Sequence, residues 1–344
     1  MANSQAKNPI DGFTVDRTQI GYVGEGLQRP ECILAERDGS LWAADARGGV
    51  VHLRPDGTQQ LITQSEGQAF AGANDEETRF TVGTLPNGLA FARSGDIVIS
   101  NFGTDRLELM NRTTGATEVL ADTIDGRPIG KVNFVLRDSK DRLWLTISTR
   151  IVNWMQAVSP AIVDGYIALF DQGRLRVVAD NIAFTNEIRL DAREEWLYVA
   201  ETTGPKVTRF RVGEDGSLTS RQTFGPEDHG APIDGIAFDA YGNLWGTHVM
   251  MDRIFAITPE GELRIILDDH DPWTSRQFMD AFYKGTATPE LMLAAGGRIA
   301  PWFASVTFGG PDLSTVYIGS LRGTRIPFFR SPVAGLPMVH WNDR

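Results

Sequence analysis

One stretch constrains this chain more than any other: Pro232-Ile233-Asp234-Gly235-Ile236-Ala237-Phe238, a turn at Asp239-Ala240-Tyr241-Gly242, then Asn243-Leu244-Trp245. A polar, oxygen-bearing residue opens an alternating apolar run, turn residues interrupt it, and about ten residues later a second apolar run begins. The frame recurs with Glu31 before Leu41-Trp42, Asn87 before Ile97-Val98, Asn133 before Leu143-Trp144 and Asn186 before Leu197-Tyr198. It fits more loosely with Ser305 before Val316-Tyr317. Period-two alternation broken at a fixed offset by a turn is the pattern of paired antiparallel strands, not of helix. Six such tiles, spaced roughly 45 to 70 residues apart, predict blades around an axis: an all-β, six-bladed β-propeller. A strand-like segment from Phe13 to Gly26 should complete the last blade, because ring closure removes exposed edges. The expected unit is a single domain over 13–337.

In such a ring the first strand of every blade lines the channel, so Glu31, Asn87, Asn133, Asn186, Asp234 and Ser305 should meet there. Asn and Asp also belong to ordinary turn chemistry. Glu31 and Asn133, however, precede no glycine. Glu31 and Asp234 across a narrow channel would repel by several kcal/mol unless a cation lay between them. A divalent ion is the natural occupant, with Asn133 and Asn186 as neutral oxygen ligands. The all-oxygen set favours Ca²⁺ or Mg²⁺, with Mn²⁺, Zn²⁺ or Fe²⁺ as alternatives. Such an ion keeps positions for water and substrate, which is the layout of a Lewis-acid site.

Three stretches break the repeat. Gln64 to Thr78 is a polar link, expected as a surface loop over one mouth of the channel. Thr149 to Ile162 carries Trp154, Met155 and Val158 and is expected as a pocket wall or an interface. In Asp271 to Pro301, the residues Phe278, Met279, Phe282, Tyr283, Leu291 and Met292 recur at helical intervals. A small helical insertion between blades five and six, serving as a cap or an oligomer contact, is the expectation. Around the ring, Asn87, Lys131, Phe134, Trp154 and His248 are candidate substrate contacts. The other histidines show no metal-ligand spacing.

A net charge of −11, with no cluster of Lys and Arg, argues against nucleic acid or an anionic membrane and leaves a small molecule as the expected partner. No apolar run approaches the roughly 18 residues of a membrane span. Cys32, the single cysteine, rules out an intramolecular disulfide and reads as a packing thiol. Met1 to Lys7 lacks the apolar core of a signal peptide, so the cytoplasm is the expected compartment.

Pro30-Glu31, Lys131-Val132-Asn133, Phe184-Thr185-Asn186, Pro232-Ile233-Asp234-Gly235, Gly242-Asn243-Leu244-Trp245 and Phe308-Gly309-Gly310-Pro311-Asp312 together resemble the senescence-marker-protein, gluconolactonase and regucalcin family of six-bladed propellers. The likeness covers about Gly21 to Pro337. It implies a divalent metal on Glu31, Asn186 and Asp234, with Asn133 a fourth or water-mediated ligand, Asn87 beside the substrate, and hydrolysis of a cyclic ester. Sugar-lactone members carry Arg-x-Asn-Asp where this chain has Lys131-Val132-Asn133-Phe134, and Asn-Gly where it has Asn186-Glu187. A ring in place of a carboxylate suited to sugar hydroxyls predicts a less polar lactone. Asp234 is the expected general base, with a hydroxide on the ion as the alternative. Two other readings are an organophosphate-cleaving hydrolase in which Asp234 attacks phosphorus, and a metal-binding propeller scaffold without chemistry.

Overall fold

The structure, a computed structural model, describes residues 7–65 and 83–343. Most of the polar link that begins at Gln64 lies outside the described residues. Six four-stranded antiparallel sheets surround an axis, each strand pairing with its neighbour in sequence. Blade one is Ile33–Ala35, Leu41–Asp45, Gly49–Leu53 and Gln59–Thr63. Blades two to five open with Pro86–Phe91, Val132–Arg137, Thr185–Leu190 and Ile233–Phe238. Blade six is Phe303–Gly309, Thr315–Ser320 and Ile326–Arg330, and its outer strand, Gly21–Val23, comes from the start of the chain. The ring is therefore closed by the expected N-terminal strand, and the last blade has no open edge there.

The repeat holds together through a device visible in its own spacing. The carboxylate six residues before the tryptophan accepts that indole's N–H: Glu36 from Trp42 at 2.7 Å, Asp138 from Trp144 at 2.9 Å and Asp239 from Trp245 at 2.8 Å. A buried indole donor would otherwise go unsatisfied. Asp239 also accepts from the backbone N–H groups of Tyr241, Gly242 and Asn243, which fixes the turn. Between blades the core is laminated, with Trp144, Trp245 and Phe134 almost fully buried.

The first strands approach one another closely around the axis. A Cβ on Gly235 would stand 2.4 Å from Ala304 O, and one on Gly88 would stand 2.7 Å from Phe134 Cα. The Asn-Gly and Asp-Gly pairs of the repeat thus serve close blade packing inside strands rather than turns. Each first strand from blade two to blade six also carries a bulge, between Pro86 and Gly88, Val132 and Phe134, Thr185 and Ile188, Ile233 and Ile236, and Phe303 and Ser305. A bulged residue leaves the in-and-out alternation of the strand, which lets its side chain turn toward the axis. Asn87, Asn133, Asn186 and Asp234 sit at these bulges. In blade six the skipped residue is Ala304, so Ser305 is one residue out of the ring frame expected for it.

Hydroxyls near the ends of the second strands, or one residue beyond them, staple blades two to five each to the next at these bulges. Ser100 donates to Asn133 O at 2.7 Å, Ser148 to Thr185 O at 2.9 Å, Thr202 to Ile233 O at 2.7 Å and Thr247 to Ala304 O at 3.1 Å. Ser305 closes the circle by donating to Glu31 O.

Helices α1 (Pro272–Tyr283) and α2 (Pro289–Ala294) lie between blades five and six, capped by the side chains of Asp271 and Thr288. Phe278 and Phe282 are fully buried on the inner face of α1 and join an apolar cluster with Trp154 and Phe102. No helix among the described residues is long and apolar enough to cross a membrane. The chain's last residues cross the far end of the channel, where Arg137 pairs with Asp343 and His340 Nε2 lies 2.8 Å from Ala35 O.

Candidate metal centre

The bulges bring Glu31, Asn87, Asn133, Asn186 and Asp234 to the wall of one cavity, at the N-terminal ends of the first strands. All five are buried. In four of them one side-chain oxygen has no hydrogen-bond partner: Glu31 Oε2, Asn133 Oδ1, Asn186 Oδ1 and Asp234 Oδ1. Buried oxygens are rarely left in this state, because desolvation without a partner costs roughly 1 to 3 kcal/mol each. Four acceptors around one space, two of them carboxylate oxygens, fit a hard divalent cation. Among the described residues there is no cluster of three or more His, Cys, Asp or Glu suited to a metal, so any ion here depends on the amides.

Several of the remaining polar atoms of these side chains are committed. Asn186 Nδ2 donates to Thr202 Oγ1 at 3.0 Å, which turns Oδ1 the other way. Asn87 Nδ2 donates to Glu31 Oε1 at 2.8 Å and to Asn133 O at 2.9 Å. Its Oδ1 accepts from Arg29 Nη2 at 2.7 Å. Arg29 Nη2 also stands 2.7 Å from Glu31 Oε2, an ion-pair distance without the alignment of a hydrogen bond. A tight turn creates this arrangement: Arg29 adopts φ 56°, Pro30 follows, and Glu31 N donates back to Arg29 O at 2.8 Å. Phe184 and Met250 on the same cavity wall also have positive φ, 49° and 64°. Strained backbone of this kind gathers at ligand sites.

Charge is concentrated beneath the cavity. Burial raises the proton affinity of Asp234 well above the ordinary carboxylate range, and the charges of Glu31 and Glu187 add to it. Burial also raises Glu31, against the pull of Arg29 and of the Asn87 hydrogen bond. Glu187 is pushed up to about 7 by burial, although Arg189 lies 3.0 Å away. Three buried carboxylates thus face two buried guanidinium groups, so with all five ionised one negative charge is left for a proton or a bound cation to neutralise.

Over the oxygens lies an apolar roof of Phe102, Trp154, Val158, Phe184, Val249, Met250 and Leu321. Trp154 meets Phe102 and Phe184 edge-on, with ring centroids 5.9 and 6.2 Å away. The cavity among these residues is about 40 Å³. That is room for an ion or a water among the oxygens. A larger cavity of about 340 Å³ opens at the opposite end, among Arg137, Arg189, Arg193 and the tail residues Leu336, Met338, Trp341 and Asn342. It holds none of the convergent oxygens.

Among the described residues lining the site cavity, Lys131, Phe134 and His248 do not appear. Lys131 Nζ is drawn 2.9 Å from Asp105 Oδ1. Phe134 lies past its bulge, under the Arg189 guanidinium at 4.6 Å. His248 stacks on Phe255 and approaches His229 at 3.2 Å. Arg29 and Thr202 were missed, as was most of the roof. The repeat does mark them: the residue just after the second strand lines the cavity in four blades, as Phe102, Thr202, Val249 and Leu321. Arg29, Phe184 and Pro232 stand two residues before Glu31, Asn186 and Asp234.

A sequence model of the SMP-30/gluconolactonase/LRE-like region matches residues 29–268. A 6-deoxy-6-sulfogluconolactonase of Pseudomonas putida is 28% identical over 155 residues. The match takes in 44% of this chain and 43% of that protein, so the chain spans less than half of this relative's length. Among solved structures, a gluconolactonase of Xanthomonas campestris superposes with a TM-score of 0.63 at 17% identity, covering 90% of this chain and 87% of its own. A calcium-binding regucalcin of Agrobacterium tumefaciens gives 0.65 at 15% identity, covering 92% and 96%. At such identities the structures speak for the propeller fold alone. The match of the sequence model over more than half of its length identifies the chain as a member of the SMP-30/gluconolactonase/LRE-like family.

Proposed function

We propose that this chain is a divalent-metal-dependent lactonase whose ion is held by Glu31, Asn133, Asn186 and Asp234, Ca²⁺ being favoured. One observation carries the reading: each of these four side chains brings to the same cavity a buried oxygen with no hydrogen-bond partner, that of Glu31 facing only the Arg29 guanidinium. When bound, the ion supplies Lewis acidity toward the carbonyl of a cyclic ester. Asp234 is the residue set to take a proton from the attacking water, because it is a carboxylate on the cavity wall that can give one oxygen to the ion and keep the other for the water. Asn87 keeps Glu31 in place through Oε1, and the apolar roof keeps bulk water from the reacting ester. That roof supports a lactone less polar than a sugar lactone.

The test is a turnover screen of sugar, aliphatic and aromatic lactones with Ca²⁺, Mg²⁺, Mn²⁺ and Zn²⁺. Activity should require an added ion, disappear with chelator and favour aliphatic lactones. Asp234→Asn should reduce turnover by about a hundredfold or more while retaining the ion. Turnover near that of the parent in an ion-loaded Asp234→Asn variant would remove Asp234 as the base. Absence of lactone turnover under every ion would leave a binding scaffold.

A further inference from the structure

Among the described residues Arg29 is the one cation on the wall of the candidate centre, and it stands where two demands collide. Glu31 has one oxygen, Oε1, already taken by Asn87 at 2.8 Å. Only Oε2 remains for an ion, and Arg29 Nη2 is 2.7 Å from it. The same Nη2 is anchored on Asn87 Oδ1 at 2.7 Å, so the guanidinium does not wander into this position by chance. Its side chain is 6% exposed. The turn that brings it there holds Arg29 in the left-handed region at φ 56°, a conformation unfavourable for a long side chain and kept only where the surroundings impose it. The charge also reaches Asp234. Without Arg29, Glu31 and Asp234 would offer a divalent ion two negative charges. With it, they offer one.

We propose that Arg29 is a built-in counter-cation that shares Glu31 Oε2 with the divalent ion, holding the ligand cage together without the ion and lowering the ion's affinity when both are present. This rests on the proposed metal reading of the site. Ion binding then has to turn the guanidinium off Oε2, while Asn87 retains both Glu31 Oε1 and Arg29. Guanidinium and ion carry like charge and compete for one oxygen, so each weakens the other's hold. The ring thereby stays folded and preorganised in the ion-free state, where two facing carboxylates would otherwise repel.

The experiment uses chelator-stripped full-length protein, titrated calorimetrically with Ca²⁺ and with Mn²⁺, and melted with and without each ion. Arg29→Met keeps an apolar stem and deletes the charge. It should bind the ions about tenfold or more tightly than the parent. It should also melt at a lower temperature than the parent in chelator and gain more on adding ion. Arg29→Lys keeps the charge and should stay close to the parent in affinity. Should Arg29→Met fail to fold, the parent itself answers through the Arg29 side-chain Nε–H resonance, assigned with Arg29→Lys. Addition of Ca²⁺ should shift it, and an unmoved resonance in ion-loaded protein would overturn the proposal. Equal affinity in parent and Arg29→Met would overturn it while leaving the metal reading intact. Ion binding by Arg29→Met alone would support it and withdraw metal dependence from the parent. Binding by neither would end both ideas.

Discussion

Asn87 Nδ2 lies 2.8 Å from Glu31 Oε1, and through this single contact an amide of blade two decides which oxygen of a blade-one carboxylate faces the cavity. The same amide nitrogen reaches Asn133 O at 2.9 Å, and its oxygen accepts from Arg29 at 2.7 Å, so one side chain ties three blades together. Asn87→Ala leaves a buried carboxylate, a buried carbonyl and a buried guanidinium each short of a partner. The expected cost is about 2 kcal/mol or more, read by urea unfolding in chelator. A loss within a few tenths of the parent would mean that these groups find other partners and that Asn87 is not the tie.

Charge, rather than the number of ligands, should dominate ion affinity. Glu31→Ala and Asp234→Ala each delete a formal charge from the cavity wall, whereas Asn133→Ala and Asn186→Ala delete only a dipole. Calorimetric titration with Ca²⁺ should therefore show losses about tenfold or more greater for the first pair. Equal losses in all four variants would contradict charge neutralisation as the basis of binding.

Much of this was legible in the chain because the repeat is written in period-two alternation with a fixed turn. The position of Asp234 ahead of Trp245 sets the frame, and the frame predicts that Glu31, Asn87, Asn133, Asn186 and Asp234 share a wall, as they do. Alternation does not say which of two adjacent residues bulges out of a strand. Hence Ser305 was placed in the ring when the bulge falls on Ala304. Nor does it reveal contacts made at long range. Lys131 reads as a rim residue until Asp105, on another blade, takes its charge. Arg29 stayed hidden for a third reason: an extended strand would not fold its side chain back against Glu31, and the left-handed turn at Arg29-Pro30 does.

The roof makes a prediction about selectivity. Trp154 packs edge-on against Phe102 and Phe184, and together they line the cavity with apolar surface. Trp154→Ala should lower kcat/KM for an aliphatic lactone relative to gluconolactone by about tenfold, the scale on which an apolar pocket discriminates. The check is the ratio of the two kcat/KM values in parent and variant at saturating ion. An unchanged ratio would remove Trp154 from the substrate wall, and gluconolactone as the best substrate of the parent by a wide margin would refute the apolar pocket.

The last prediction concerns acid stability and rests on His229 and His248, whose ring nitrogens Nδ1 and Nε2 lie 3.2 Å apart against the face and edge of Phe255. Burial lowers His229 to about 4 despite the nearby charge of Asp228. His248 is driven well below the ordinary histidine value, first by burial and then by His229 and Arg253. Both rings are therefore neutral in the fold at pH 7, while in the unfolded chain they titrate near 6.5. Below that pH the unfolded state binds protons that the fold refuses, so stability falls as the medium is acidified. The contribution is complete above about 6.5 and is lost as the pH drops toward about 4, roughly 3 kcal/mol for His229 alone. Asp252 and Glu187, both raised to about 7 by burial, act in the opposite sense, their contribution being lost as the pH rises toward that value. The parent's total curve mixes the two, so the informative quantity is the difference from a His229→Phe variant. Urea unfolding at intervals from pH 4 to 7 should give the variant a slope shallower by about one proton between 4 and 6.5. Parallel curves would show that His229 is protonated in the fold and that its burial against Phe255 does not keep it neutral.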